Sequence, residues 1–183
     1  MSEILIQFKK LNWLLVFLIS FLSFVGLVMI YSATYGDDDR VFISHFSKIC
    51  LGLLIMIAVS LTDLNFIKKH AYLFYLIGII LLILATFYGI VGKGSRRWLN
   101  LGGFVFQPSE LIKILVIITL AKFFDEKKLQ SAGDYIFLIL PIFLILSPFF
   151  LILIQPDLGT AMVVLLLGLI IFFISGISWK FFG

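Results

Sequence analysis

Three cationic side chains lie close together in one polar stretch of an otherwise apolar chain. Lys93, Arg96 and Arg97 fall within five residues, and Trp98 follows them directly. An arginine guanidinium can bind two phosphate oxygens through parallel hydrogen bonds, which a lysine ammonium cannot do. The stretch therefore predicts a site for a phosphorylated substrate. A plainer interpretation stays open, in which these cations pair with Asp37–Asp39 or with lipid phosphates.

A proline-containing motif follows this stretch, with Gln107-Pro108-Ser109-Glu110 leading to Lys113. Glu110 and Lys113 are three residues apart, so on a helix their side chains share a face and can meet. Proline is favoured at a helix start, and a carboxylate in the first turn interacts favourably with the helix dipole. The dipole accounts for Glu110 but leaves Lys113 unexplained. We therefore predict that the two form a pair lining a cavity.

Gln155-Pro156-Asp157 repeats the same pattern at a second helix start. Because two helices separate the motifs, both must lie at the same face of a membrane. Asp157 either caps its helix or faces the same cavity, and both interpretations stay open. Such a cavity could hold a pyrophosphate against the cations and present a carboxylate to a metal or a sugar hydroxyl.

The candidate residues share this predicted cavity, as substrate-binding or lining groups: Lys93, Arg96, Arg97, Trp98, Gln107, Glu110, Lys113, Gln155 and Asp157. No residue pattern identifies a catalytic group or a metal-ligand set. No cofactor is evident, although a divalent cation would suit the carboxylates. His45 and Lys48 also share a helix face, but simple packing explains the histidine better than catalysis.

The elements that position these residues are membrane helices. The chain is 62% hydrophobic and 13% charged, with a mean hydropathy of +1.20, whereas a soluble domain has roughly 25% charged residues. Six segments approach the roughly 20 apolar residues that span a bilayer. They are residues 11–31, 41–61, 71–91, 108–124, 135–154 and 157–177, joined between the third and fourth by an external loop over 92–107. We predict one all-α transmembrane domain, with Gly26, Gly52, Gly78, Gly159 and Gly168 as helix-packing positions.

Lysine and arginine residues set the orientation, because they are enriched in cytoplasmic loops. Most lie at one set of helix ends: Lys9, Lys10, Lys68, Lys69, Lys122, Lys127, Lys128 and Lys180. We therefore predict a cytoplasmic N-terminus, with Lys93, Arg96 and Arg97 on the outer face against this bias. The single cysteine, Cys50, excludes an intrachain disulfide.

Three blocks of sequence resemble the shape, elongation, division and sporulation family of bacteria, whose members include RodA, FtsW and SpoVE. They are residues 97–113, Gln155–Ala161 and the end of the first helix, Tyr31-Ser32-Ala33-Thr34. The Gly92-Lys93-Gly94 approach to Arg97 is closer to the rod-elongation branch. The resemblance spans nearly the whole chain and covers the N-terminal half of the family.

The resemblance implies a ten-helix fold in the bacterial cytoplasmic membrane and polymerisation of lipid II into peptidoglycan at its outer face, for cell elongation and rod shape. It also implies a class B penicillin-binding protein, elongation-complex proteins and membrane lipids as partners, and no nucleic acid. The family's catalytic aspartate is expected beyond Gly183, so residues 1–183 are expected to be inactive alone. Two alternatives stay open, a lipid II flippase or transporter and a scaffold that recruits the cross-linking enzyme.

Overall fold

The computed structural model describes residues 8, 11–35, 40–92, 95–102, 104–126 and 135–175. These residues form six long helices and one small sheet between the third and fourth helices. The helices are α1 (Trp13–Ala33), α2 (Arg40–Ser60), α3 (Leu64–Tyr88), α4 (Pro108–Glu126), α5 (Tyr135–Ile154) and α6 (Leu158–Ile174). The predicted helical membrane architecture is confirmed.

Four helices are long and apolar enough to cross a bilayer on length and composition alone: α1, α2, α3 and residues Phe137–Ile154 of α5. α6 is apolar over 17 residues. α4 has 19 residues and is less apolar, because ionisable side chains such as Glu110 and Lys113 lie within it. At 1.5 Å per residue, α4 and α6 measure about 26–28 Å, close to the hydrocarbon thickness of a bilayer.

The third helix departs most from its predicted bounds, because it begins at Leu64 rather than 71 and ends at Tyr88 rather than 91. The apolar run ends at polar residues 68–70, so hydropathy alone gave no reason to extend the helix. In the structure, Lys68 forms an ion pair with Asp125, and His70 Nδ1 lies 2.9 Å from the Phe66 carbonyl oxygen. Polar partners at the helix end thus permit two further turns.

Residues predicted to form a loop instead contain an antiparallel sheet. Its strands are β1 (Ile90–Gly92), β2 (Ser95–Leu101) and β3 (Phe104–Phe106), in the order β1-β2-β3. Ile90 lies opposite Trp98, and Leu99 lies opposite Phe106. Gly102 turns the chain between β2 and β3 with a φ of +64°, which favours glycine. The sheet fixes the direction of each β2 side chain, which a loop would not do.

The chain divides into two compact units, residues 1–64 and 65–183. In unit 1, α1 packs on α2, and the ring of Tyr31 lies 5.5 Å from that of Phe42 in an edge-to-face arrangement. The Asn12 side chain accepts a hydrogen bond from the Leu15 N–H at 3.2 Å and so caps α1. His45 and Lys48 lie on α2 in this unit.

Unit 2 contains a buried core built from α3, α4, α5 and α6. The three last helices pack on one another, and β2 contacts α4. Side chains from all four helices are fully buried: Leu82, Ile112, Val116, Leu120, Ile152 and Val164. Burying one such side chain contributes about 1.5–3 kcal/mol relative to exposing it to water. Relative to exposing it to lipid the contribution is smaller, because lipid tails are also apolar.

Glycines in unit 2 confirm part of the packing prediction. A Cβ at Gly78 would lie 2.6 Å from Ile112 Cδ1, and one at Gly168 would lie 2.6 Å from Ile145 Cδ1. These two positions therefore allow close helix approach. The prediction is wrong for Gly159, where a Cβ would meet, among the described residues, only Asp157 Oδ1 at 4.0 Å. At Gly26 and Gly52 it would meet no atom of the described chain within 4 Å.

Polar contacts mark the two ends of unit 2. At one end, Lys68 of α3 pairs with Asp125 of α4, and Lys122 Nζ donates to the Lys69 carbonyl at 3.1 Å. We call this the far end. The opposite end carries the sheet and the turn between α5 and α6, and we call it the sheet end. Both proline motifs lie at the sheet end, as predicted from the number of helices between them.

Candidate functional site

The turn between α5 and α6 is anchored on α3 by Gln155. Gln155 is 2% exposed, and its side-chain Nε2 donates to the Leu82 carbonyl at 3.0 Å and to Thr86 Oγ1 at 2.9 Å. A buried amide without such acceptors would cost about 1–3 kcal/mol. The Gln155 side chain therefore connects this turn to the last turns of α3 by hydrogen bonds.

Asp157 joins three elements through its two carboxylate oxygens. Oδ1 accepts the Thr160 N–H at 3.2 Å, which makes Asp157 the N-cap of α6. Oδ2 lies 3.0 Å from Arg97 Nη1 of β2 and accepts a hydrogen bond from Gln107 Nε2 at 3.2 Å. The capping interpretation of Asp157 is confirmed, and the same carboxylate also binds two predicted site residues.

The environment of Asp157 favours its charged form. Burial by itself raises the pKa of this carboxyl, but the Thr160 hydrogen bonds and the Arg97 guanidinium outweigh burial and hold the pKa below its ordinary value. Asp157 precedes α6 and lies outside the helix itself. The carboxylate is therefore anionic at neutral pH and neutralises Arg97.

Glu110 and Lys113 form the predicted pair in the first turns of α4. Lys113 Nζ donates to both carboxylate oxygens of Glu110 at 2.9 Å. The Glu110 side chain is 61% exposed and that of Lys113 is 24% exposed. The pair lies at the sheet end, because Gln107, which contacts Asp157, is three residues before Glu110. Pro108 occupies the first helical position and is buried.

Alternating residues of β2 face opposite sides of the sheet. Arg97 and Leu99 point inward, where Leu99 is buried and Arg97 reaches Asp157. Arg96 and Trp98 are exposed on the other side. Arg96 Nη1 makes a long hydrogen bond of 3.4 Å to the Phe87 carbonyl. The two arginines, treated alike in the sequence analysis, thus lie in different environments.

The structure brings together some of the predicted site residues. Arg97, Gln107 and Asp157 make one cluster, with Gln155 in the adjoining turn. Glu110 and Lys113 make a second group at the same end. Lys93 and Asp37–Asp39 lie outside the described residues. An ion pair between Arg97 and Asp157 was not predicted. The two residues are 60 positions apart, and sequence alone does not show which strand residue lies beside the start of a distant helix.

The sequence analysis assigned no role to two polar residues near the site. Thr86 accepts from Gln155, and its own hydroxyl donates to the Leu82 carbonyl at 2.9 Å. Ser109 is 1% exposed, and its hydroxyl has no hydrogen-bond partner within the described ranges. A threonine late in an apolar helix is a weak signal on its own. Neither residue could have been assigned without the neighbouring helix.

The carboxylates of Asp157 and Glu110 do not fit a divalent cation as they stand. Both oxygens of Asp157 are bonded to donors, and both oxygens of Glu110 accept from Lys113. A bound cation would have to displace Arg97 or Lys113, which carry charge of the same sign. No group of three metal-binding side chains occurs among the described residues.

The fold and the site define a polytopic membrane protein in which unit 2 gathers charged and amide side chains at the sheet end of its helices. The chain belongs to the FtsW/RodA/SpoVE family, whose sequence model, described as "Cell cycle protein", matches residues 12–183. It is 36% identical over 174 residues to the peptidoglycan glycosyltransferase MrdB of Escherichia coli K12, covering 93% of this chain and 45% of that relative.

Two solved structures are also similar. The rod shape determining protein RodA of Thermus thermophilus matches with a TM-score of 0.77 and 32% identity, over 93% of this chain and 55% of that one. A chain from a peptidoglycan synthase complex, described as coordinating polymerization and crosslinking, matches with a TM-score of 0.78 and 30% identity, over 93% and 49%. The chain thus spans about half the length of the curated relatives it matches.

Proposed function

We propose that this chain supplies the N-terminal helices of a peptidoglycan glycosyltransferase, which polymerises lipid II at the outer face of the bacterial cytoplasmic membrane during rod elongation. The observation that carries the proposal is the family membership over residues 12–183, with a MrdB relative at 36% identity. The site supports it, because unit 2 brings five polar side chains to its sheet end: Arg97, Gln107, Glu110, Lys113 and Asp157.

In the proposed reaction, the 4-hydroxyl of one lipid II attacks the anomeric carbon of a strand that carries undecaprenyl pyrophosphate. A new glycosidic C–O bond forms, the bond from the anomeric carbon to the phosphate oxygen breaks, and the hydroxyl proton passes to a carboxylate base. The expected base lies beyond Gly183. Cations near the leaving pyrophosphate would stabilise its developing charge.

The described residues divide this work between them. Arg96 is exposed and, within the described part of the chain, makes only a long hydrogen bond to a carbonyl, so its guanidinium can turn toward a pyrophosphate at little cost. Arg97 is neutralised by Asp157 and is better suited to hold β2 in place beneath Arg96. Lys113 is mostly buried beside the exposed Glu110, an arrangement that suits a cavity wall.

The proposed partners follow from the relatives. A class B penicillin-binding protein would cross-link the strands, consistent with the described coupling of polymerization and crosslinking in the similar synthase complex. Other proteins of the elongation complex and the lipids of the membrane complete the set, and we propose no nucleic-acid partner. Transport of lipid II is less favoured, because the described site groups gather at one end and a transporter needs access from both sides.

Lipid II binding by the purified chain in lipid nanodiscs tests the proposal. We expect binding of fluorescent lipid II, competition by undecaprenyl pyrophosphate, and weaker competition by undecaprenyl phosphate, which has one phosphate fewer. Arg96→Ala should weaken binding, whereas Lys68→Ala, which removes a cation at the far end, should not. Equal binding by all three proteins would contradict the placement of the substrate. Glycan product from residues 1–183 alone would contradict the expected position of the catalytic base.

A further inference from the structure

Pro148 leaves a carbonyl of α5 without its usual donor. A helical residue donates its N–H to the carbonyl four residues earlier, and proline has no N–H. The carbonyl deprived by Pro148 is therefore that of Leu144, inside a helix and in the buried core. An unsatisfied carbonyl in an apolar environment is costly, so a donor from a neighbouring element is needed.

Tyr75 of α3 provides that donor. Its hydroxyl lies 3.0 Å from the Leu144 carbonyl oxygen and 2.6 Å from Ser147 Oγ, and the residue is 7% exposed. A tyrosine hydroxyl has one proton, and a carbonyl can only accept. The Tyr75 proton therefore goes to Leu144, and Ser147 donates its own proton to the Tyr75 oxygen. All the hydrogen-bonding groups of this cluster are then satisfied.

This contact and the Gln155 contact join the same two helices at successive levels. α3 and α5 both run toward the sheet end, so Tyr75 of α3 faces Ser147 of α5, and Leu82 of α3 faces Gln155 in the turn that follows α5. The two contacts are separated by seven residues on α3, about 10 Å of helix. Between them lies the part of α5 that follows Pro148 and leads directly to Asp157.

We propose that Tyr75 is a positioning residue for the site. The Tyr75 hydroxyl replaces the hydrogen bond that Pro148 removes, and so it holds the last turns of α5 against α3. These turns determine the positions of Gln155 and Asp157. The inference rests on the proposed function only in that this segment leads to the site. Its test measures folding and local opening, so its failure would leave the proposal of glycan polymerisation intact.

The test is a double-mutant cycle between Tyr75→Phe and Pro148→Ala in the purified chain in nanodiscs. With Pro148 present, Tyr75→Phe should lower the Tm by about 2–4 °C. In the Pro148→Ala background, the new alanine N–H reaches the Leu144 carbonyl, so Tyr75→Phe should change the Tm by less than about 1 °C. Pro141→Ala is the matched control, because it restores a different N–H and should not rescue Tyr75→Phe.

Hydrogen exchange gives the local readout. Tyr75→Phe should accelerate amide exchange in residues 149–157 several-fold, leave residues 137–143 unchanged, and be reversed by Pro148→Ala. An equal loss of Tm with Pro148 present and in the Pro148→Ala background, or uniform exchange along α5, would overturn the proposal. A further outcome is that the single variant Tyr75→Phe fails to fold. In that case, a folded double variant with Pro148→Ala supports the proposal, and a double variant that also fails to fold overturns it.

Discussion

Arg97 Nη1 lies 3.0 Å from Asp157 Oδ2, so one ion pair joins the central strand of the sheet to the N-cap of α6. The Arg97 side chain is 26% exposed and that of Asp157 is 10% exposed, so water screens the pair less than it screens a surface pair. The same carboxylate oxygen accepts from Gln107, immediately before α4. Asp157 thereby links strand, α4 and α6 through a single side chain.

The first prediction concerns the coupling of Arg97 and Asp157. We expect Arg97→Ala and Asp157→Asn each to lower the free energy of unfolding, because each removes the opposite charge from beside a partly buried ionised group. The double variant should lose about 1–2 kcal/mol less than the sum of the single losses. Chemical unfolding of the chain in mixed micelles measures this. Arg96→Ala combined with Asp157→Asn is the control, and there the losses should add.

The second prediction is the pH dependence of the same carboxylate. Its pKa is lowered in the folded state, so its contribution to stability is fully present above the unfolded value of about 4. That contribution is lost as the pH falls through the lowered folded pKa. The Tm of the chain should therefore exceed that of Asp157→Asn by a constant amount from pH 7 to pH 5. The difference should shrink below about pH 4. A difference that grows on acidification would contradict this.

The third prediction compares three glycines by what an added methyl group would meet. At Gly168 the Cβ would lie 2.6–2.8 Å from three atoms of Ile145, including both γ carbons. At Gly78 it would meet the δ carbons of Ile112 and Leu115, which can move more easily. Gly168→Ala should therefore cost about 1–3 kcal/mol and Gly78→Ala less.

Gly159→Ala is the control for this series, because within the described part of the chain its Cβ would have ordinary contact with Asp157 only. We expect it to be neutral or slightly stabilising, since alanine favours a helix more than glycine does. Ile145→Ala should partly rescue Gly168→Ala, because it removes all the conflicting atoms. Unfolding midpoints of the chain in mixed micelles measure each variant. A larger loss for Gly159→Ala than for Gly168→Ala would contradict the helix contact.

Hydropathy was enough to predict the helices, because a helix that spans lipid needs a long apolar segment that is visible in a single sequence. The number of helices between the two proline motifs was enough to place both motifs at the same end. The pairing of Glu110 with Lys113 was predicted for a similar reason, since helix geometry alone brings residues three apart together. A proline inside a helix frees a carbonyl by its chemistry alone, so the position of Pro148 indicates one in α5. The sequence could not show that Tyr75 satisfies this carbonyl, because that contact joins residues 69 positions apart.

The sheet was missed for a related physical reason. Its strands have only three, seven and three residues, and glycines lie at their ends and between them, so an alternating pattern is scarcely visible. Strand pairing is what separates Arg96 from Arg97, placing one outward and the other on Asp157. The sequence interpretation treated the two arginines as one cluster. They differ because neighbouring side chains of a strand face opposite sides of the sheet.

The fourth prediction is the membrane orientation. Ser95 begins β2 at the sheet end, whereas Lys68 pairs with Asp125 at the far end. In a Cys50→Ser background, Ser95→Cys should react with an impermeant thiol reagent added to intact cells. Lys68→Cys should react only after permeabilisation. The reverse result would place the sheet end in the cytoplasm and remove the argument for an external substrate.

The last prediction separates the two arginines of β2 by lipid II affinity, measured in nanodiscs at two salt concentrations. If Arg96 binds the pyrophosphate, Arg96→Ala should weaken the free energy of lipid II binding by about 2–5 kcal/mol, because the contact is desolvated and charge-assisted in the complex. Arg96→Lys should recover only part of this, since a point charge cannot reproduce the bidentate fork. Arg97→Lys can still reach Asp157 with one ammonium group, so it should weaken the ion pair and leave most of the lipid II affinity. A loss of about 0–1 kcal/mol for Arg96→Ala that fades with salt would mark Arg96 as a surface contact to lipid instead.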